Sequence, residues 1–339
     1  MQAIEARVEE VTAERPGVLP EGILHSRQPL LVRRLVSHWP LVTEGCKGGA
    51  ASIDYLSGFS REQNIVAFRG APEIEGRFFY NEDLTGLNFE RTNLSLNAAL
   101  NEFRSLGEAE DQASVYVGST AVNSVFPGLL DENPLDFGVP NALVSIWMGS
   151  RARIAAHFDY PDNIAAVVAG RRRFTLFPPE QISNLYVGPV DFTPAGQAIS
   201  LVDSQDPDFE RFPRYREALA HAQVAELEPG DALFIPSLWW HQVEGLDDFN
   251  VLVNYWWKSV ASVQGNPMDA LIHCLLTFNG LPDGQRQAWR SIFDHYLFDN
   301  DAGDSSHQHI PQASRGILGA MDPATVAQLR AMLRSRLDG

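Results

Sequence analysis

Basic charge, cysteine and long apolar runs are all scarce in this chain. Lysine and arginine total 26 against 43 aspartates and glutamates, a formal net charge of −17 with a pI near 4.9. A surface of that sign repels phosphate backbones, which argues against DNA or RNA as the main partner and favours plain solubility. Attraction of a basic peptide substrate is the sharper use of the same charge. Only two cysteines occur, Cys46 and Cys274, with no CxxC pair. That excludes a disulfide framework and a thiolate zinc site. No apolar stretch reaches the roughly 18 residues needed to cross a bilayer, so no membrane partner is expected. The opening MQAIEARVEEVTAERPG is polar and acidic, unlike a signal or transit peptide, and a cytoplasmic protein is the expectation.

The 339 residues are 45% hydrophobic and 20% charged, enough apolar material for a substantial core. Residues 1–110 read as an N-terminal α/β segment. QPLLVRRLV (Gln28 to Val36) is a buried strand or short helix, and RFFYNEDLTGLNF (Arg77 to Phe89) is strand-like with a turn at Thr85-Gly86. Leu96, Leu100 and Phe103 stand at helical spacing. Residues 111–262 are strand-rich: SVYVGS, ALVSIWMGS, IAAVVAG, RRFTLFPP, DALFIPS and NVLVNYWWKS are short, apolar and bounded by turn signals. No helices alternate with them, which points to a mainly β fold, an antiparallel barrel or jelly roll. A polar insertion at about 186–225 interrupts the pattern, with a helix near Pro213 to Ala222; such insertions are usually lids or binding loops. Residues 263–339 turn helical. Met268, Ile272, Leu275 and Leu276 share one face, and Trp289, Ile292, Phe293 and Tyr296 another. Asp322-Pro323 opens a last helix striped by Val326, Leu329 and Leu333, and Asn300 to Ser306 reads as a loop. This much apolar helix surface must pack on the barrel or on a second copy, a homodimer through the C-terminal helices.

The chemistry concentrates in Ala156-His157-Phe158-Asp159. In a strand, residues two apart face one side, so His157 and Asp159 project together while Phe158 packs oppositely. A second imidazole, His241, follows the turn Pro229-Gly230-Asp231, a strand from Ala232 and the break at Pro236. Two imidazoles and a carboxylate are the facial set that leaves positions open on iron(II). Trp239 and Trp240 beside His241 are expected to shield such a site from water. A pair of catalytic acids is the competing use of these residues. His307 and His309 form an HxH in a polar stretch and read as solvent-exposed.

HFDYPDNIAAVVAGRRRFTLFPPEQISNLY, DSQDPDFERFPRY, PGDALFIPSLWWHQVEG and VNYWW, with QPLLVRRLVSHWP earlier, resemble the JmjC and cupin-like oxygenases, and among them the asparaginyl hydroxylases. The resemblance implies a double-stranded β-helix, Fe(II) and 2-oxoglutarate as co-substrate. It puts His157, Asp159 and His241 at the metal as the catalytic triad. It puts Tyr116 and Arg172 at the far carboxylate of 2-oxoglutarate, and Asn163 and Asn254 beside the metal. Two positions depart from the hydroxylase pattern: Arg172 replaces a lysine and Ile154 a threonine. Arginine's planar fork suits a carboxylate, and strand alternation turns Arg172 inward with Phe174 and Leu176, leaving Arg171 and Arg173 outside. The implied activity is hydroxylation of an amino acid, peptide, protein or small molecule. The alternatives are a metal cupin with chemistry independent of 2-oxoglutarate, and a non-catalytic metal-binding interaction module.

Overall fold

Among the described residues, fourteen strands, most of them short and rich in β-branched or aromatic residues, build two facing sheets. In chain order they are β1 (Glu9–Thr12), β2 (Leu30–Arg33), β3 (Asn64–Gly70), β4 (Arg77–Phe78) and β5 (Phe89–Ser95). There follow β6 (Ser114–Ala121), β7 (Leu143–Gly149), β8 (Arg153–Phe158), β9 (Asp162–Ala169) and β10 (Arg172–Phe177). The last are β11 (Gln223–Leu227), β12 (Ala232–Ile235), β13 (Trp240–Gly245) and β14 (Asn250–Trp257). The structure is a computed structural model describing residues 4–106, 113–194, 196–258, 265–298, 307–319 and 321–337. The larger sheet has the order β1-β2-β12-β9-β14-β7-β6-β3-β5, and the smaller β11-β10-β13-β8-β4. All pairs are antiparallel except β1 with β2 and β4 with β8. This is the jelly roll expected from the sequence.

Both faces of the larger sheet are covered, so β9 is buried nearly throughout and reads as a continuous apolar run. Ile164, Ala166 and Val168 pack behind it against the N-terminal helices, while Ala165 and Val167 face the smaller sheet. The helix Pro40–Lys47 lies so close to β9 that a Cβ on Gly45 would sit 1.9 Å from the Val168 carbonyl oxygen. QPLLVRRLV resolves as strand β2, and Leu96, Leu100 and Phe103 are the buried face of the helix Leu96–Leu106. The insertion helix spans Tyr215–Ala220, and Tyr215 and Ala218 pack with Phe177 and Trp240 on the outer face of the smaller sheet. The insertion ends earlier than its polar composition suggested, because Ala225 already belongs to β11, paired with Phe174 of β10.

The chain divides into two compact units, Met1–Ser259 and Val260–Gly339. The second holds the helices Pro267–Phe278, Asp283–Phe293 and Pro323–Leu337. Asn266 caps the first through the Met268 N–H, and Asp322 caps the last through the Thr325 N–H at 2.8 Å. Phe278, Trp289 and Phe293 form an aromatic cluster, yet Ile272, Leu275, Leu276 and Phe298 stand mostly exposed. The loop expected at Asn300 to Ser306 lies outside the described residues. No described helix is long and apolar enough to cross a membrane.

Candidate metal centre and adjoining cavity

His157 on β8 and His241 on β13 are direct cross-strand partners in an antiparallel ladder, their rings 4.4 Å apart. Asp159 lies just beyond the end of β8 and turns the same way, its Oδ2 3.6 Å from His241 Nε2. One ligand atom from each residue lies within 4.8 Å of the others, which is the spacing of a shared cation. Phe158 and Trp240 point to the opposite face, as the alternation requires.

Both imidazoles are held in one tautomer. His157 Nδ1 is 2.9 Å from the Ala155 carbonyl oxygen, and His241 Nδ1 is 3.0 Å from that of Trp239. A carbonyl oxygen only accepts, so each Nδ1 carries the proton and each Nε2 keeps its lone pair for a metal. Burial, helped by the neighbouring His241 ring, lowers the His157 pKa to about 4. Burial raises the Asp159 carboxyl, but the closeness of the His241 and His157 rings outweighs it, leaving it below its ordinary value. A neutral imidazole and an ionised carboxylate are the forms that bind metal. The Trp256 indole N–H also favours the Asp159 carboxylate electrostatically, yet it closes no hydrogen bond of acceptable geometry.

A cavity of about 250 Å³ opens from the triad into the barrel. At its inner end lies Arg172, buried among Phe174, Val243 and Leu252. Its Nε has no hydrogen-bond partner, and no carboxylate pairs with it among the described residues. Burial lowers its pKa, with the Tyr116 hydroxyl opposing that effect. Tyr116 is itself pushed up to about 12 by burial and so remains a neutral donor. Asn163 and Asn254 stand between the two ends: the Asn254 side-chain N–H donates to Asn163 Oδ1 at 3.3 Å, and the Trp147 indole donates to Asn254 Oδ1 at 2.8 Å. All seven residues singled out in the sequence therefore line one cavity.

Ile154 lines it too, although it sits three residues from His157, where simple alternation would turn it outward. The β8–β13 register shifts between His241 and Val243, so that β8 carries one residue more than its partner. This bulge brings both Ile154 and His157 inward. The expected shield of two tryptophans is corrected. Trp240 is on the outer face beneath the insertion helix, and Trp239 is buried in the inter-sheet core with its indole donating to the Arg27 carbonyl. The cavity's tryptophans are Trp147 and Trp256.

Sequence reasoning did not find Gln197, whose Nε2 donates to Asp159 Oδ1 at 3.0 Å. It lies in the insertion strap that also contributes Pro194 and Ile199 to the cavity. The aromatic wall of Phe68, Phe78 and Phe89, drawn from the N-terminal strands, was missed as well. A lone polar side chain outside any strand or helix carries no periodic signal, and phenylalanines in strands read first as core.

The family described as cupin-like domain matches residues 17–262. Lysine-specific demethylase JMJ31 of Arabidopsis thaliana is 38% identical over 119 residues, 34% of this chain and 21% of that protein. HSPB1-associated protein 1 of Homo sapiens is 40% identical over 126 residues, covering 36% and 25% respectively. The tRNA wybutosine-synthesizing protein 5 of Gallus gallus is 32% identical over 122 residues, covering 36% and 33%. The matched stretch thus spans no more than a third of each of these relatives' own length.

Proposed function

This chain belongs to the cupin-like domain family, and from that membership and the shape of its cavity we propose that it is an Fe(II)- and 2-oxoglutarate-dependent oxygenase, a hydroxylase. The observation that carries the reading is a pair of complementary ends in one cavity: a His-Asp-His cluster at one, a buried guanidinium that no described carboxylate pairs at the other. His157, Asp159 and His241 are the residues that would hold Fe(II). Arg172 and Tyr116 would take the far carboxylate of 2-oxoglutarate, and Asn163 and Asn254 would line its path to the metal. Held there, the metal would supply oxidative decarboxylation of 2-oxoglutarate to succinate and carbon dioxide, one atom of dioxygen going to succinate and the other into a substrate C–H bond.

The protein's own contribution is geometric and electrostatic. The carbonyls of Ala155 and Trp239 hold the Nδ1 side of each ring and so aim both Nε2 atoms at the shared point. Trp147, Trp256, Phe174 and the phenylalanine wall keep the interior dry, which strengthens the attraction of Arg172 for an anion. The substrate is an amino acid, peptide, protein side chain or small molecule. The net charge of −17 favours these over a polyanionic RNA. The exposed apolar helices of the C-terminal unit support a homodimer through that unit.

Succinate formation from 2-oxoglutarate with Fe(II), assayed beside an Asp159→Ala variant, tests the reading. The wild-type protein is expected to turn over and the variant to lose at least about a hundredfold; equal rates contradict it. A metal cupin of other chemistry, or a non-catalytic module, would leave the melting temperature of the Mn(II)-loaded protein unmoved by 2-oxoglutarate, whereas a binding site raises it by mass action.

A further inference from the structure

Asp159 has two oxygens, and they have different partners. Oδ2 faces His241 Nε2 at 3.6 Å, on the side where the three ligand atoms converge. Oδ1 accepts from Gln197 Nε2 at 3.0 Å. A metal-bound carboxylate has no proton to give, so only the amide N–H end of Gln197 can face it. The assignment of that side chain is therefore fixed by chemistry.

Gln197 is itself anchored from both directions. On its C-terminal side, the Ser200 N–H donates to the Ala156 carbonyl at 2.8 Å, beside His157, and Ser200 Oγ donates to the Leu185 carbonyl at 2.6 Å. On its N-terminal side, Arg91 donates to the Pro194 carbonyl, and the Tyr80 hydroxyl donates to the Phe192 carbonyl at 2.7 Å. The Gly196 N–H, immediately before Gln197, donates to Thr193 Oγ1 at 2.7 Å. A carboxylate free to rotate could offer both oxygens to a cation and fill a position that a chelating co-substrate needs. Occupying one oxygen prevents that.

We propose that Gln197 is a positioning residue that holds Asp159 as a one-oxygen ligand, keeping a coordination position open for the co-substrate. This rests on the metal reading given above, and it assigns to the insertion strap a part in the metal site. A hydrogen-bonded partner of a metal ligand typically contributes 10- to 100-fold in metal affinity or activity.

The test uses the full chain with Gln197→Leu and Gln197→Met, which keep the side chain's bulk and remove its donor. Mn(II) and then 2-oxoglutarate are titrated anaerobically into each protein, with the metal-free melting temperature measured alongside. The expected result is that both variants melt like wild type without metal, and that 2-oxoglutarate binding to the Mn(II) form weakens roughly tenfold or more. On the Fe(II) form, the visible charge-transfer band of the bound 2-oxo acid should shift or diminish. Variants that bind 2-oxoglutarate within twofold of wild type, with an unchanged band, overturn the role of Gln197 alone. A wild-type protein that binds no Mn(II) overturns the metal reading and this inference together.

Discussion

Among the described residues, Arg172 is a cation without an anion. It is 4% exposed, its Nε lacks any described partner, and the Tyr116 hydroxyl is the described group that eases its burial. An unpaired buried charge is destabilising unless something arrives to pair with it. Arg172→Met should therefore leave the melting temperature of the ligand-free protein equal or higher, while weakening 2-oxoglutarate by about 1.5–3 kcal/mol, roughly 10- to 100-fold. Thermal shift with and without 2-oxoglutarate measures both effects. His157 makes a second prediction. Its folded pKa of about 4 lies below the ordinary 6.5, so between those values the unfolded chain binds a proton that the folded chain refuses. The metal-free protein should accordingly lose stability as pH falls from about 6.5 towards 4. The depressed Asp159 carboxyl contributes stability that is lost only below its ordinary 3.8, outside that window. Urea midpoints at about pH 7 and pH 5 should differ less for His157→Leu than for wild type. At this scale the sequence was legible where chemistry repeats with strand period: His157 and Asp159, then Arg172, Phe174 and Leu176. Gln197 was not legible, because its importance comes from a contact across 38 residues that no local pattern encodes.

Between elements, the site depends on register. His157 opposes His241 only because β8 and β13 are in one alignment; a slip of one residue would turn one imidazole out of the cavity. The bulge near His241 sets which earlier residue of β8 joins them, and it brings in Ile154. Strand existence was readable from apolar runs between Gly and Pro. Pairing order and the bulge were not, since both are decided by partners distant in the chain. The limit of the insertion was misjudged for a related reason: Gln223-Val224-Ala225 looks polar and small, yet it pairs with β10 and closes the smaller sheet. Helix-to-sheet spacing gives an element-scale prediction. Gly45→Ala would drive a methyl group to 1.9 Å from the Val168 carbonyl, so the helix Pro40–Lys47 must lift off β9, whose inner face carries Asn163. A loss of about 1–3 kcal/mol and several degrees of melting temperature is expected by calorimetry.

At the scale of the whole molecule, fold class was legible from strand-like segments without alternating helices, and the helical C-terminal region from its apolar periodicity. What those helices pack on was left open between the barrel and a second copy. Their exposed Ile272, Leu275, Leu276 and Phe298 lead us to expect a dimer. Light scattering should report twice the 37.6 kDa chain mass, and a Leu276→Glu, Phe298→Glu double variant should shift it towards one chain. The central claim is narrower: two neighbouring strands bring three side chains to one divalent cation and leave room beside it. Anomalous diffraction from crystals soaked anaerobically with Mn(II) and 2-oxoglutarate tests it most directly. The expected map has a single strong peak bonded to Nε2 of His157, Nε2 of His241 and one oxygen of Asp159, with the co-substrate reaching from it to Arg172. A peak elsewhere, or none with all three side chains ordered, would contradict the account.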